Sequence, residues 1–176
     1  TTPTLTTSEV TQITETSAVA GGNVTSDGNA SVTERGVVYS LSATPAINDL
    51  SSTIVRSGSG TGVFTCNLTN LQSGTKYFVR AYAVNDKGTA YGEVVSFTTA
   101  VPITLATVTT ATVSNITENT AVAGGAVTND GNSSVTERGV CISTVSNPTT
   151  SNTKITAGSG TGSFTCDLTN LQPNTT

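Results

Sequence analysis

The chain has 176 residues, of which 7 are basic and 11 are acidic, and it contains no His, Trp or Met. Without His, the chain has no Ser-His or Cys-His nucleophile pair and no His-ligated metal site, so we expect neither enzyme activity nor a cofactor or metal. The net charge of −4 argues against nucleic acid as a partner, because phosphate binding needs clustered Lys and Arg, and no apolar run approaches the ~20 residues that span a bilayer.

The composition favours strands. Thr and Val contribute 38 and 20 residues, and branching at Cβ restricts these side chains in a helix but suits a pleated sheet. Short β-prone segments separated by turn residues are typical of a sandwich or barrel. The first hundred residues predict seven strands, at residues 9–13, 17–25, 32–41, 53–57, 62–68, 76–84 and 92–98.

Two of these segments show which face is buried. Alternation in the fifth strand points Phe64, Cys66 and Leu68 to one side. Alternation in the sixth strand does the same for every second residue, which are Tyr77, Val79, Ala81 and Ala83. We expect these faces to form the core.

The chain then repeats itself. SAVAGGNVTSDGNASVTERGVVYS, which begins at Ser17, returns as TAVAGGAVTNDGNSSVTERGVCIS from Thr120, and GSGTGVFTCNLTNLQ from Gly58 returns as GSGTGSFTCDLTNLQ from Gly158. A period near one hundred residues fits a small domain rather than a solenoid repeat. We therefore predict two tandem domains, at residues 1–100 and 101–176. The junction is short and contains Pro102, which favours a stiff connection.

The segment LQSGTKYFVRA, from Leu71 to Ala81, resembles the L-x-P-x-T-x-Y-x-x-R-A motif of fibronectin type III domains. VTERGV, GSGTGxFTxxLTxL and AYAxNxxGTAYGExxSFTT resemble a bacterial form of this domain, found in tandem arrays of surface and secreted proteins. The resemblance implies a fibronectin type III-like β-sandwich, with Tyr77 in the core and its hydroxyl bonded to the backbone. It also implies an extracellular or cell-surface location.

The second copy stops early. Thr176 aligns with Lys76, so the sequence has no counterpart of the last two predicted strands. Either the sequence ends within a longer array of repeats, or another subunit completes the second sandwich by strand donation, as in fibres built by β-strand addition.

Two groups of residues are candidate sites. Phe78, Arg80 and Tyr82 should point outward from the sixth strand, with Tyr39 beside them, as a patch for a glycan or a protein. The alternative is cross-strand pairing that stabilises an exposed sheet face.

The second group is the cysteines. Cys141 replaces Val38, and a location on the outer surface would permit a Cys141–Cys166 disulfide. The equivalent Cys66 has no partner in its own copy, which favours a small buried thiol at this position.

These observations predict a non-enzymatic extracellular structural or adhesion module, a stiff tandem-repeat spacer or stalk of a bacterial surface or filament protein. One alternative is a glycan-binding accessory module of a secreted carbohydrate-active enzyme. Another is a fibre subunit completed by strand donation from a neighbour. The expected partners are other copies of the repeat, neighbouring domains, or a protein or glycan on a surface.

Overall fold

A computed structural model describes residues 1–175, which form thirteen β-strands and no helix. The chain divides into unit 1, Thr1–Pro102, and unit 2, Ile103–Thr176. The predicted all-β fold is confirmed.

Unit 1 is a sandwich of two antiparallel sheets. One has the strand order β1-β2-β5, and the other has the order β4-β3-β6, with β7 and β8 both paired to the far edge of β6. The strands are β1 Thr4–Thr7, β2 Ala18–Ser26, β3 Glu34–Ser40, β4 Thr53–Arg56, β5 Gly62–Leu68, β6 Lys76–Asn85, β7 Gly88–Tyr91 and β8 Val95–Thr98.

The core lies between the two sheets. Phe64, Cys66 and Leu68 are buried on alternate positions of β5, as predicted. The facing layer comes from β3 and β6, whose core residues are Val37, Tyr39, Tyr77, Val79, Ala81 and Ala83. Alternation therefore places every second residue of β3 and β6 on the outer face of the second sheet.

The first and last predicted strands differ from the observed ones. The strand predicted at 9–13 is wrong: β1 lies earlier, where Leu5 is buried against Val24, and segment 9–13 contributes one bridge, from Thr11 to Val19. The strand predicted at 92–98 begins only at Val95. The Gly92 amide instead donates to the carbonyl of Ala81 at 3.0 Å.

Unit 2 repeats the arrangement with fewer strands. Its sheets are β9-β10-β13 and β11-β12, formed by β9 Thr107–Thr110, β10 Ala121–Asn129, β11 Gly139–Ile142, β12 Thr153–Thr156 and β13 Gly162–Leu168. Its core is smaller and comprises Ala121, Ala123, Val127, Phe164, Cys166 and Leu168.

Candidate functional site

Tyr39 lies in the core of unit 1 rather than on its surface. Only 9% of Tyr39 is exposed, and its ring meets Tyr77 edge-on with the centroids 5.9 Å apart. In β3 it is Val38, not Tyr39, that shares the outer face with Arg80, its partner on β6. The prediction that Tyr39 joins an outer patch is therefore wrong, because the pleat of β3 points its ring inward.

Tyr82 points outward from β6 as predicted, yet it is fully buried. Its ring lies directly over Gly36 of β3. A Cβ atom added at residue 36 would lie only 3.1 Å from the edge of the ring, so the ring uses the space that glycine leaves free. Its hydroxyl donates to Oε1 of Glu34 at 2.7 Å, and Oε2 of Glu34 accepts from Nε of Arg56 at 3.0 Å. Burial and this carboxylate raise the pKa of Tyr82 above its ordinary value, while the Tyr82 hydroxyl and then Arg56 lower the pKa of Glu34.

Arg80 packs against the same face. Its guanidinium carbon lies 3.8 Å from the centroid of the Tyr91 ring, and its Nε donates to the carbonyl of Pro45. The Tyr91 hydroxyl in turn accepts from the amide of Ile47 at 3.1 Å. Both backbone groups belong to the loop between β3 and β4, so this loop folds over the outer face of the sheet and leaves Val38 without exposed surface.

The predicted patch is thus mostly a second, outer layer of packing. Phe78 is half-buried, and the amine of Lys76 lies 5.2 Å from its ring centroid. Aromatic platforms for sugars need accessible ring faces, and neither Tyr39 nor Tyr82 supplies one.

A half-buried arginine, Arg35, organises the glycine-rich loop before β5. Nη1 of Arg35 donates to the carbonyl oxygens of Thr61 at 2.7 Å, Gly60 at 3.2 Å and Gly62 at 3.3 Å. The guanidinium carbon also lies 5.2 Å from the centroid of Phe64. We call this arrangement the arginine clamp.

Unit 2 contains the same clamp. Nη1 of Arg138 donates to the carbonyl of Thr161 at 2.7 Å, and the guanidinium carbon lies 5.5 Å from the centroid of Phe164. The motifs TERG and GSGTGxF are therefore two halves of one structural contact. Sequence reasoning treated them separately, although their joint recurrence in both copies was a signal of their pairing.

Tyr77 has the arrangement that the fibronectin type III resemblance implies, a buried ring whose hydroxyl is hydrogen-bonded to the backbone, which is called a tyrosine corner. Its hydroxyl accepts from the backbone amide of Gln72 at 2.9 Å, and its ring stacks on Phe97 with the centroids 5.7 Å apart. This hydrogen bond fixes the turn between β5 and β6.

No family model and no curated protein matches the chain. Among solved structures, it is similar to a two-domain fibronectin type III segment from chicken tenascin, at 20% identity, over 99% of this chain and 86% of that one, with a TM-score of 0.40. It is also similar to the sensor domain of the anti-sigma factor RsgI4 of Pseudobacteroides cellulosolvens, at 17% identity, over 57% of this chain and 96% of that one, with a TM-score of 0.44.

A third similar structure is a redesigned β-sandwich protein, at 27% identity, over 57% of this chain and 95% of that one, with a TM-score of 0.39. The sheet pairing of unit 1 and its tyrosine corner themselves define a fibronectin type III-like sandwich.

The three cysteines are free thiols, so the structure does not contain the Cys141–Cys166 disulfide that was one of the two alternatives, and Cys66 and Cys166 are the small buried thiols that the other alternative favours. Cys166 belongs to the core of unit 2, and its thiol donates to the carbonyl of Ile155 at 3.6 Å. Cys141 lies between Val140 and Ile142, whose side chains pack against that core. Because side chains alternate along a strand, the Cys141 side chain projects from the other face of β11, away from the core. In unit 1, the counterpart of Cys166 is Cys66, and burial raises the pKa of the Cys66 thiol.

Two further observations concern residues 1–175 as a whole. They contain no group of three or more His, Cys, Asp or Glu side chains that could hold a metal ion. They also contain no helix long and apolar enough to cross a membrane.

Proposed function

We propose that the chain is a non-enzymatic structural module of a bacterial surface or filament protein, in which the tandem repeats act as a stiff extracellular spacer. The observation that carries this proposal is the length of the junction. The amide of Ala100 donates to the carbonyl of Thr14 at 3.0 Å, and the amide of Thr104 donates to the carbonyl of Gly131 at 2.8 Å. These bonds belong to unit 1 and unit 2 respectively, and three residues separate them.

A junction of this length favours stiffness. Val101, Pro102 and Ile103 give the chain little length in which to bend, and the proline ring fixes one of the dihedral angles. A spacer requires this property more than it requires a binding site.

The outer face of unit 1 supports a structural role as well. Tyr82, Arg80 and Glu34 are engaged with other groups of the same unit, and this packing stabilises the sandwich without exposing an aromatic platform. An accessory glycan-binding module would depend mainly on Phe78. Glycan-array binding that disappears in a Phe78→Ser variant would favour that alternative over the spacer.

Nuclear spin relaxation tests the stiffness. We expect backbone amides of the two units to report the same rotational correlation time, close to that of a single 17.7 kDa body. The matched control is a variant with about ten Gly and Ser residues inserted after Val101, in which the units should tumble separately. Native units that tumble as independently as those of the control would contradict the spacer proposal.

Antibody labelling tests the location. An antibody raised against the chain should label intact producing cells. Labelling that needs permeabilised cells would contradict an extracellular role.

A further inference from the structure

The loop between β3 and β4 differs from its counterpart in unit 2. The sequence AINDLSS lies between Pro45 and Thr53, whereas only TTSN lies between Pro148 and Thr153, the corresponding residues of unit 2. Unit 1 therefore has three more residues at this place, and its segment contains a leucine, Leu50. We call residues 46–52 the Leu50 turn.

Hydrogen bonds fix the backbone of the Leu50 turn. The Asp49 amide donates to the carbonyl of Ala46 at 3.1 Å, and the Ser52 amide donates to the carbonyl of Asp49 at 3.0 Å. The Asp49 carboxylate accepts from the amide of Ser51 at 2.9 Å and from the hydroxyls of Ser51 and Ser52 at 2.7 and 3.0 Å. Leu50 itself is fully exposed, at 105%. An apolar side chain on a backbone that is already ordered can bind with a small loss of conformational entropy.

A cavity of about 240 Å³ opens beside this turn, and its lining includes Ser51, the chain neighbour of Leu50. The apolar and aromatic residues that line it are Tyr39, Leu41, Leu71 and Tyr77. A water molecule takes up about 30 Å³, so this volume is sufficient for the four carbon atoms of a leucine side chain. We call it the unit 1 cavity.

The unit 1 cavity suits an apolar group better than a polar ligand. None of its lining residues is charged. The Tyr77 hydroxyl accepts from the amide of Gln72 at 2.9 Å, and the Ser40 hydroxyl donates to the carbonyl of Ser42 at 3.0 Å. Among the described residues, no buried side-chain nitrogen or oxygen lacks a hydrogen bond. A polar ligand would therefore find no unsatisfied buried side-chain partner, whereas an apolar group gains by leaving water.

We propose that this end of unit 1 pairs with the same end of a second copy of this chain, so that each Leu50 enters the unit 1 cavity of the other copy. A side chain that projects beside a cavity able to accept it is the arrangement that a symmetric pair requires. A two-fold axis between the two features places each leucine at the cavity of the other copy. Leu41, which lines the cavity and is 60% exposed, adds apolar surface to the contact.

Unit 2 does not have this surface. Thr144 takes the place of Leu41, and the shorter segment TTSN contains no large apolar residue to take the place of Leu50. The two units are otherwise nearly identical in these strands, so the exposed leucines are a property of unit 1. Within this chain, the pairing therefore uses unit 1 alone.

The contact is small, and small interfaces are typical of transient association. We expect a Kd of about 1 mM, a concentration that chains held side by side on one surface reach locally. Pairing would join neighbouring chains laterally. It does not rest on the spacer role, because the variant with Gly and Ser residues inserted after Val101 keeps Leu50 and should pair like the native chain.

Sedimentation equilibrium and amide chemical shifts of the full chain measure the pairing, at concentrations that bracket about 1 mM. The resonances of Leu50 and Leu71 should shift with concentration, and Leu50→Ser should weaken the pairing about tenfold or more, because serine removes the apolar group. The matched control is Val145→Ser, which removes a side chain that is 70% exposed on the same loop of unit 2 and should leave the pairing unchanged. A chain that stays monomeric throughout, or equal losses in the two variants, would overturn the proposal.

A mixing experiment identifies the cavity. Gln72→Trp should cover the mouth of the unit 1 cavity with an indole ring, while the bonds of residue 72 to Tyr77 and Thr99 persist because they use backbone atoms. A labelled Leu50→Ser chain keeps its cavity and an unlabelled Gln72→Trp chain keeps its leucine, so mixing them should shift the Leu71 resonance of the labelled chain. An unlabelled chain with both substitutions should cause no shift. Absent shifts, or equal shifts with both unlabelled chains, would overturn the entry of Leu50 into this cavity.

A lipid surface is the other occupant that an exposed leucine could meet. Sedimentation with phosphatidylcholine vesicles distinguishes the two. Native chain that sediments with the vesicles through Leu50, and stays monomeric without them, would overturn the pairing of two copies. Native chain that pairs in solution and remains in the supernatant of the vesicles supports it.

Discussion

Replacing Arg35 by Met removes the arginine clamp while keeping a stem of similar length. Nη1 carries two hydrogens, so its three carbonyl contacts amount to two hydrogen bonds at a time. Hydrogen bonds from a charged donor contribute about 1.5–3 kcal/mol each, and water at this half-buried site replaces part of that contribution. We expect the free energy of unfolding of unit 1 to fall by about 2 kcal/mol. For a domain of this size, Tm falls by about 8–16 °C.

Tyrosine fluorescence during urea unfolding measures this change in unit 1 alone, because all four tyrosines, at 39, 77, 82 and 91, belong to that unit. The matched control is Arg138→Met, which removes the same contacts in unit 2 and should leave the fluorescence transition in place. A loss below about 0.5 kcal/mol for Arg35→Met, or equal losses for the two variants, would refute the reasoning.

Three further predictions follow from burial and charge. Leu5→Ala should reduce the free energy of unfolding by about 2–4 kcal/mol and Val108→Ala by less than about 1 kcal/mol, as urea melts followed by circular dichroism would show, because only Leu5 is buried. The free energy of unfolding of unit 1 should fall as pH drops below 4.5, the ordinary pKa of Glu34, because the pKa of Glu34 is lower in the folded state. It should also fall as pH rises above 10.0, the ordinary pKa of Tyr82, because the pKa of Tyr82 is higher in the folded state. Constant stability at both ends of a pH series of urea melts would contradict this prediction. Iodoacetamide should modify Cys141 before the other two thiols, with no mass change on reduction, by mass spectrometry.

The sequence predicted the sandwich well where alternation was strong. Phe64 and Leu68 are buried as expected. Gly28 and Gly88 have positive φ angles of 71° and 132°, which glycine adopts without steric cost. These features depend on local periodicity and on the steric freedom of glycine, both of which a sequence displays directly.

The burial of the candidate patch could not be predicted, because it depends on contacts between residues that are distant in sequence. The direction of Tyr82 followed from alternation, but its burial involves residues distant in sequence, since its ring lies over Gly36 and its hydroxyl binds Glu34. The loop between β3 and β4 likewise reaches Arg80 and Tyr91 through backbone atoms. Backbone contacts of this kind leave little trace in residue identity. Tyr39 was misplaced for a simpler reason: β3 is apolar on both faces, so alternation gave no signal of its orientation.

The near-identity of the two copies also bears on how the chain folds. Residues of β3 that contact β6, such as Gly36 and Val37, recur in β11 as Gly139 and Val140. Roughly forty residues separate the β6–β8 hairpin from each of these two strands, so the entropy of loop closure hardly distinguishes them. The order of synthesis does distinguish the two strands, because β3 has left the ribosome long before β11 is synthesised. Refolding from denaturant offers both acceptors at once, and it is there that a hairpin exchanged between the units would compete with the native pairing.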